Sequence, residues 1–336
     1  MLHVTNGAVA LSRLHDLGLP GRIVPWDDVL HEGPVPAGLD AAALRRVRAE
    51  FLAISWGDVG EIEQMLAARD QALAEAAAGD EIVLWFEHDL YDQLHVLQVV
   101  DQLTGIAPGL GATGATVTAV LADDYLAAQS DDQLAAWFTA REPLGAVRWA
   151  AAATAWTRFR DADPSGLAAF DDPGAWPSLR NAVRRHLQQF PAAGTGLSRT
   201  EAQTMAAVAA APLPVREAFR AANHAVEDAV FMGDAGWWWH IRPLLSSRHP
   251  LLRVDGASPS GWHDPAWWSD EPDAPRLALT PDGQRVLAGE ADHVTLNGID
   301  RWLGGVHLQA ASAETGQEQP RTLWRWNDAA SIVARG

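Results

Sequence analysis

Apolar and polar positions alternate along the chain with two different periods. Leu2-His3-Val4-Thr5 is a short β-type run, broken at once by the turn pair Asn6-Gly7. Apolar residues then recur at helical spacing over residues 9–17 and stop at Gly18, which predicts strand, tight turn and helix. The pattern repeats. Residues 21–26 read as a second strand closed by the polar loop 27–36, and 41–51 and 59–78 have helical spacing. Glu81-Ile82-Val83-Leu84-Trp85-Phe86 is the clearest buried strand, followed by a helix over 90–103 and a further strand over 116–121. Strands alternating with helices predict an α/β fold, a mostly parallel Rossmann-like sheet with helices on its faces.

Over residues 130–190 the pattern turns helical. Trp137, Phe138, Trp149, Trp156 and Phe159 are its packing residues, and Pro164, Pro173 and Pro177 interrupt it. Gly194-Thr195-Gly196 marks a boundary, after which Ser198 and Glu201 have the spacing of a capping box. Helices over 201–210, 215–226 and 236–245 precede two strands, 251–254 and 276–280, and a last helix over 281–288. Three helices and a β-hairpin follow the order of a winged helix. The organisation read from the chain is an α/β domain over 1–128, a helical connector over 129–193 and a winged-helix-like domain over 194–336.

Composition narrows the chemistry. A length of 336 residues exceeds one ordinary core and agrees with two domains. Cysteine is absent, which excludes disulfides, thiolate metal sites and cysteine nucleophiles and fits a cytoplasmic protein. No apolar run is long enough to cross a bilayer, and the N-terminus lacks a basic stretch leading into an apolar one. All 25 cationic side chains are Arg, so Schiff-base chemistry and a Walker-type lysine are excluded. The formal charge of −18 opposes binding to DNA phosphates or anionic membranes.

In an open parallel sheet, ligands sit beyond the carboxyl ends of the strands. Three polar segments follow predicted strands directly: Thr5-Asn6-Gly7, preceded by His3; Asp27-Asp28 with His31-Glu32-Gly33-Pro34; and Glu87-His88-Asp89 with Asp92-Gln93. Their convergence at one sheet edge is the sharpest expectation from the pattern. His31 and His88 are the candidate acid/base groups, with Asp28 or Glu87 to orient an imidazole. His3, Thr5, Asn6, Gly7, Asp27, Glu32, Gly33, Asp89, Asp92 and Gln93 are candidate ligand contacts, and Gly7 can turn N–H groups toward an anion. A divalent metal is open at His88 and Asp92, with His95 on the same helical face. Plain structural roles compete throughout: acidic residues also suit a first helical turn. The chain contains no G-x-x-x-x-G-K-[ST] and no G-x-S-x-G, so no P-loop or hydrolase-elbow motif is present.

The tryptophan clusters point away from DNA. Trp237-Trp238-Trp239 occupies the third helix of the winged-helix order, where a DNA reader carries Arg, Asn or Gln. Trp262, Trp267 and Trp268 share the following loop with Asp264, Asp270, Glu271 and Asp273, and this favours packing over phosphate binding.

Long strings of the chain resemble the bacterial family named domain of unknown function 1835, in its long form. They are Leu2-His3-Val4-Thr5-Asn6-Gly7, Trp26-Asp27-Asp28-Val29-Leu30-His31-Glu32-Gly33-Pro34-Val35-Pro36 and Leu84-Trp85-Phe86-Glu87-His88-Asp89-Leu90-Tyr91-Asp92-Gln93-Leu94. The C-terminal half adds Leu197-Ser198-Arg199-Thr200-Glu201, Phe231-Met232-Gly233-Asp234, Leu279-Thr280-Pro281-Asp282-Gly283 and Leu296-Asn297-Gly298-Ile299-Asp300-Arg301-Trp302-Leu303-Gly304-Gly305-Val306-His307-Leu308. The family name carries no activity, so the resemblance implies the architecture alone. Within the last string Arg301 is a candidate cation for a ligand carboxylate or phosphate, or for an interdomain salt bridge.

The leading functional expectation is a small-molecule ligand or active site at the sheet edge, serving a transferase or hydrolase that acts on a small anionic or nucleotide-like compound. Two alternatives stand beside it: a ligand-sensing transcriptional regulator that binds DNA through the winged helix, and a protein-interaction scaffold. No membrane partner is expected, and the oligomeric state is left open.

Overall fold

The computed structural model describes residues 1–106, 115–172, 174–256, 264–269, 271–312, 323–328, 330 and 332–335. The chain divides into two compact units. Met1–Arg184 with Trp302–His307 form the first, and Arg185–Arg301 with Leu308–Gly336 form the second. The boundary at Arg184 falls inside the segment read as a connector, most of which therefore belongs to the first unit.

The first unit runs β1 (Leu2–Thr5), α1 (Ala8–Asp16), β2 (Arg22–Pro25), β3 (Gly33–Pro34), α2 (Ala41–Trp56) and α3 (Val59–Ala76). It continues with β4 (Glu81–Phe86), α4 (Leu90–Ile106), β5 (Thr116–Leu121), α5 (Asp131–Thr139), β6 (Glu142–Pro143), α6 (Ala146–Phe159) and α7 (Ser165–Ala168). Helix α8 (Leu179–Leu187) runs across the unit boundary. Five strands form one sheet in the order β2-β1-β4-β5-β6, parallel except for β6 at the edge. The expected mixed α/β architecture with a mostly parallel sheet is what the chain forms.

Local sequence explains the helix starts. Asp40 accepts from the Ala43 N–H, Asp58 from those of Gly60 and Glu61, and Ser130 from that of Gln133, each satisfying otherwise orphaned donors. One face of the sheet buries Val83, Trp85 and Val120 against Ala10, Leu14 and Leu134, with Phe138 stacked on Trp85 at 6.0 Å. Helices α2 and α3 pack through Ala49, Leu52, Ile62 and Leu66.

The strand order positions the site. From β1 the chain crosses outward to β2, then returns past β1 to β4. The crossovers leave β1 on opposite sides, so a crevice opens between the carboxyl ends of β1 and β4. The loop after β2 is held beside it by Arg48 on α2. Arg48 and Asp28 are fully buried, with Nη2 2.7 Å and Nε 3.0 Å from Asp28 Oδ1. The same guanidinium donates to the carbonyls of Glu32 at 2.7 Å, Val29 at 3.1 Å and Pro34 at 3.3 Å. Gly33, at φ 73°, takes a conformation strained for other residues, and a Cβ there would lie 2.5 Å from the Phe51 ring. Gly33 and Pro34 then pair with Leu303 and Gly304, which belong to the same unit. Two-residue strands such as β3 and β6 carry too little periodicity to be read from sequence.

The second unit begins with α9 (Arg199–Ala207), β7 (Leu213–Pro214), α10 (Val215–Ala222), α11 (Asp234–Ser246), β8 (Leu252–Asp255) and β9 (Arg276–Leu279). It continues with α12 (Pro281–Leu287), α13 (His293–Asn297), β12 (Trp324–Asn327) and β13 (Ile332–Arg335), while β10 (Ile299–Gly304) and β11 (Val306–Ala310) each run across the unit boundary. Strands β7, β9 and β8 form an antiparallel sheet in that order. The expected capping box is present, Ser198 accepting from the Glu201 N–H and Glu201 from that of Ser198. Trp237 is fully buried, while Trp238 lies 4.7 Å from Trp267, ring to ring, and Arg242 sits over Trp239. The three tryptophans thus have neighbours within their own unit. Trp262 and Asp270 lie outside the described residues.

Replacing Arg48 by Met leaves the buried Asp28 carboxylate unpaired, and urea denaturation is expected to show a loss of about 3–5 kcal/mol. The double replacement Arg48→Met with Asp28→Leu removes both charges and is expected to lose less than the single change.

Candidate functional site

Three segments meet at the carboxyl edge, beginning with Thr5-Asn6-Gly7 after β1. Gly7 caps α1 with φ 33° and no side-chain hydrogen bond. Its N–H is bonded to the Asp27 carboxylate, which burial nonetheless pushes above the usual carboxylate range. The expected anion cradle at this helix start is therefore filled from within the chain. The Asp27 carbonyl in turn accepts from Arg69 at 3.1 Å.

The segment after β4 supplies the centre of the site. Asp89 caps α4, accepting from the Asp92 N–H at 3.0 Å, and its own carbonyl takes the first helical bond from Gln93. Asp92, fully buried, turns back toward the strand. It accepts from the Glu87 N–H at 2.7 Å and from Asn6 Nδ2 at 2.6 Å. Glu87 accepts from the Leu126 N–H at 2.8 Å and from Asn6. Asn6 thus bridges β1 to both carboxyls of the neighbouring segment. One ligand atom from each of Glu87, Asp89 and Asp92 lies within 4.8 Å of the others.

Among the described residues, no arginine figures among the charges acting on this trio. Burial pushes Asp89 up to about 7, with the Glu87 charge adding to it. Burial, then the charges of Asp89 and Glu87, hold Asp92 well above the usual range. Glu87 is raised by burial against the opposing bonds from Leu126 and Asn6. Close, buried carboxyls cannot all ionise without a compensating cation. Burial therefore favours the protonated form of each of the three.

The histidines divide. His88 is half-buried at the edge, its ring 4.9 Å from that of Tyr125. His31 is buried with its edge on Tyr91, at 5.9 Å. His95 lies behind Tyr91, 4.2 Å away, and bonds the Asp28 carbonyl at 2.6 Å; burial drives it down to about 3. The candidate metal group is accordingly a carboxylate trio containing Asp92 but neither His88 nor His95.

Several expected contacts have other duties. Asp28 is committed to Arg48 and orients no imidazole with its carboxylate. His3 sits in the amino half of β1, accepting from the Trp85 indole and donating to the Pro20 carbonyl, each at 3.0 Å. Its basicity is lowered, chiefly by burial. Glu32 contributes its carbonyl to Arg48, and Gly33 packs on Phe51. Arg301 is paired with Glu201 inside the second unit. Burial raises Glu201, but Arg301, His293 and His240 outweigh it and bring it to about 2.

Gln93 gives the site a second face. Its Nε2 donates to the Glu87 carbonyl at 2.7 Å, which fixes the orientation of the amide. Its Oε1 is buried with no hydrogen-bond partner, and the side chain lines a cavity of about 380 Å³ walled by Leu84, Phe86, Trp137 and Trp176. The Thr5 hydroxyl, at the end of β1, is likewise buried without a partner. Sequence reasoning reached Thr5 and Gln93 but missed Arg48, Tyr91 and the Leu126 N–H. An arginine on an otherwise apolar helix face was the one available signal, for Arg48.

The chain matches no protein-family model and no curated protein.

A raised carboxyl pKa means that the folded state keeps its proton to higher pH than the unfolded one. Stability from Asp89 is therefore full below about pH 4 and lost as pH rises toward about 7. Asp89→Asn preserves the cap and removes the titration. Urea denaturation across this window, without divalent cations, is expected to show a shallower fall for the variant than for the parent.

Proposed function

We propose that the crevice between β1 and β4 is a divalent-cation-assisted ligand site, and that the first unit carries out hydrolysis or group transfer on a small, nucleotide-like molecule. The observation that carries this reading is the trio Glu87, Asp89 and Asp92, buried at the strand switch point with no guanidinium against it among the described residues. Oxygen donors of this kind suit a hard cation such as Mg²⁺ or Mn²⁺. The buried Gln93 Oε1, without a hydrogen-bond partner among the described residues, belongs to a side chain that also lines a cavity, and it supports a ligand reading.

Glu87, Asp89 and Asp92 would hold the cation, which would polarise a phosphoryl or carbonyl oxygen there. An acidic wall repels a bare anion, so the cation also makes an anionic ligand acceptable. Asn6 holds Glu87 and Asp92 in register whether or not they are charged. His88, half-buried at the edge beside Tyr125, is the group placed to accept or return a proton. His31 is the secondary candidate, restrained by Tyr91.

The same reading extends to family and architecture: membership of the domain of unknown function 1835 family, a winged-helix-like second unit and a cytoplasmic location. The order α9, β7, α10, α11, β8, β9 supports the winged-helix part. Among the described residues no helix is long and apolar enough to cross a membrane. A DNA-binding regulator is less favoured, because α11 carries three tryptophans, Trp237 fully buried, and one arginine, itself laid over Trp239.

Isothermal titration of the metal-free full chain with Mn²⁺ is expected to give one saturable site. Asp92→Asn is expected to weaken it by roughly tenfold or more, a change of about 1.4 kcal/mol. No heat and no thermal stabilisation with either Mn²⁺ or Mg²⁺ in the millimolar range would remove the proposal.

A further inference from the structure

The cavity beside Gln93, of about 380 Å³, is within the range of small-molecule sites, and its described lining belongs wholly to the first unit. Residues 119–123 all line it. Successive side chains of a strand point to opposite faces, so a cavity lying on one face of β5 would touch every second residue. This one meets the chain edge-on. The edge it meets is the one away from β4, which occupies the other.

Local structure leaves that edge open. The peptide groups of consecutive strand residues alternate from one edge to the other. The Thr116 N–H donates to the Asp80 carbonyl on the β4 side, and the Val117 carbonyl accepts from the Leu144 N–H at 2.8 Å on the β6 side. Leu121 therefore presents its N–H and C=O as Val117 does, away from β4. Strand β6 does not reach it, because it spans only Glu142–Pro143, paired with Ala119 and Thr118. The N–H groups just before it, of Ala140 and Arg141, are turned back to Ala136 and Phe138 at the end of α5. Leu121 is left at the cavity wall with one donor and one acceptor side by side, and no strand beside them.

We propose that this edge binds the ring of a nucleobase, the Leu121 N–H and C=O pairing with an adjacent acceptor and donor on the ring. Trp137 and Trp176 supply aromatic walls for its faces. The described lining holds no cation and a single carboxylate, Asp123, which fits an uncharged ring and not a phosphate. One open residue suits a small ring, whereas an added peptide strand needs a row of such groups. The inference rests on the reading of the first unit as a site for a nucleotide-like molecule, and says where its base lies. Phe86 and Gln93, both at the cavity, directly flank Glu87 and Asp92 in sequence, so the ring and cation subsites adjoin.

Titration calorimetry of the full chain without divalent cations tests the assignment, with adenosine, guanosine, cytidine and uridine as probes and ribose as the control. Each nucleoside carries an adjacent donor and acceptor on its ring, and none carries a phosphate. At least one is expected to saturate a single site, with no binding of ribose. Leu121→Pro deletes the N–H on an edge where no ladder bond is lost, and is expected to weaken that nucleoside at least tenfold. Ser178→Phe, at a half-buried position lining the cavity, is expected to abolish binding and keep the unfolding temperature. It carries the test if Leu121→Pro fails to fold. No nucleoside binding in the millimolar range overturns the proposal, as does equal binding of ribose or an affinity insensitive to either folded variant. Mn²⁺ binding is read separately. A cation site without nucleoside binding removes this inference alone, and nucleoside binding without a cation site removes the metal reading alone.

Discussion

The buried pair of Asp28 and Arg48 is the interaction on which the first unit's working edge depends. Desolvating both ions is costly, and the cost is offset only where every donor finds an acceptor. Arg48 achieves this by spending its remaining N–H groups on the carbonyls of Val29, Glu32 and Pro34. One side chain from α2 therefore dictates the path of the loop after β2. That path sets Asp27 on the Gly7 N–H, His31 on Tyr91 and Gly33 in a strand.

The acidic trio follows a different logic. Backbone N–H groups of Glu87, Asp92 and Leu126, with the Asn6 amide, fix where the carboxyl oxygens lie. None of these neutral donors supplies a positive charge. Geometry is thus set in advance while charge balance is left to a proton or a cation. Position and charge are set by different groups here.

Much of the first unit was legible in the sequence because its strands are long and its helices are signposted. Residues 81–86 and 116–121 read as strands from their apolar runs, and in the second unit Ser198 with Glu201 announced a helix start. The three polar segments could be placed at one edge from topology alone. What pattern could not reach was side-chain commitment. His3, Asp28 and Arg301 are polar residues in suggestive positions, yet each is taken by a partner distant in sequence, namely Trp85, Arg48 and Glu201. Short strands were invisible for a related reason: β3 exists only because Leu303 and Gly304 lie beside it.

That last pairing has a consequence for biosynthesis. The first unit is not a contiguous stretch of chain, since it includes Trp302–His307, where Trp302 and His307 stack at 4.3 Å. Val35 also donates to the Gly304 carbonyl, and Gly305 to that of Phe159. During synthesis the amino-terminal sheet can assemble early, but the edge at Gly33–Val35 must wait until residue 307 has left the ribosome. The sheet emerges first, and its own unit closes only after most of the second has been made.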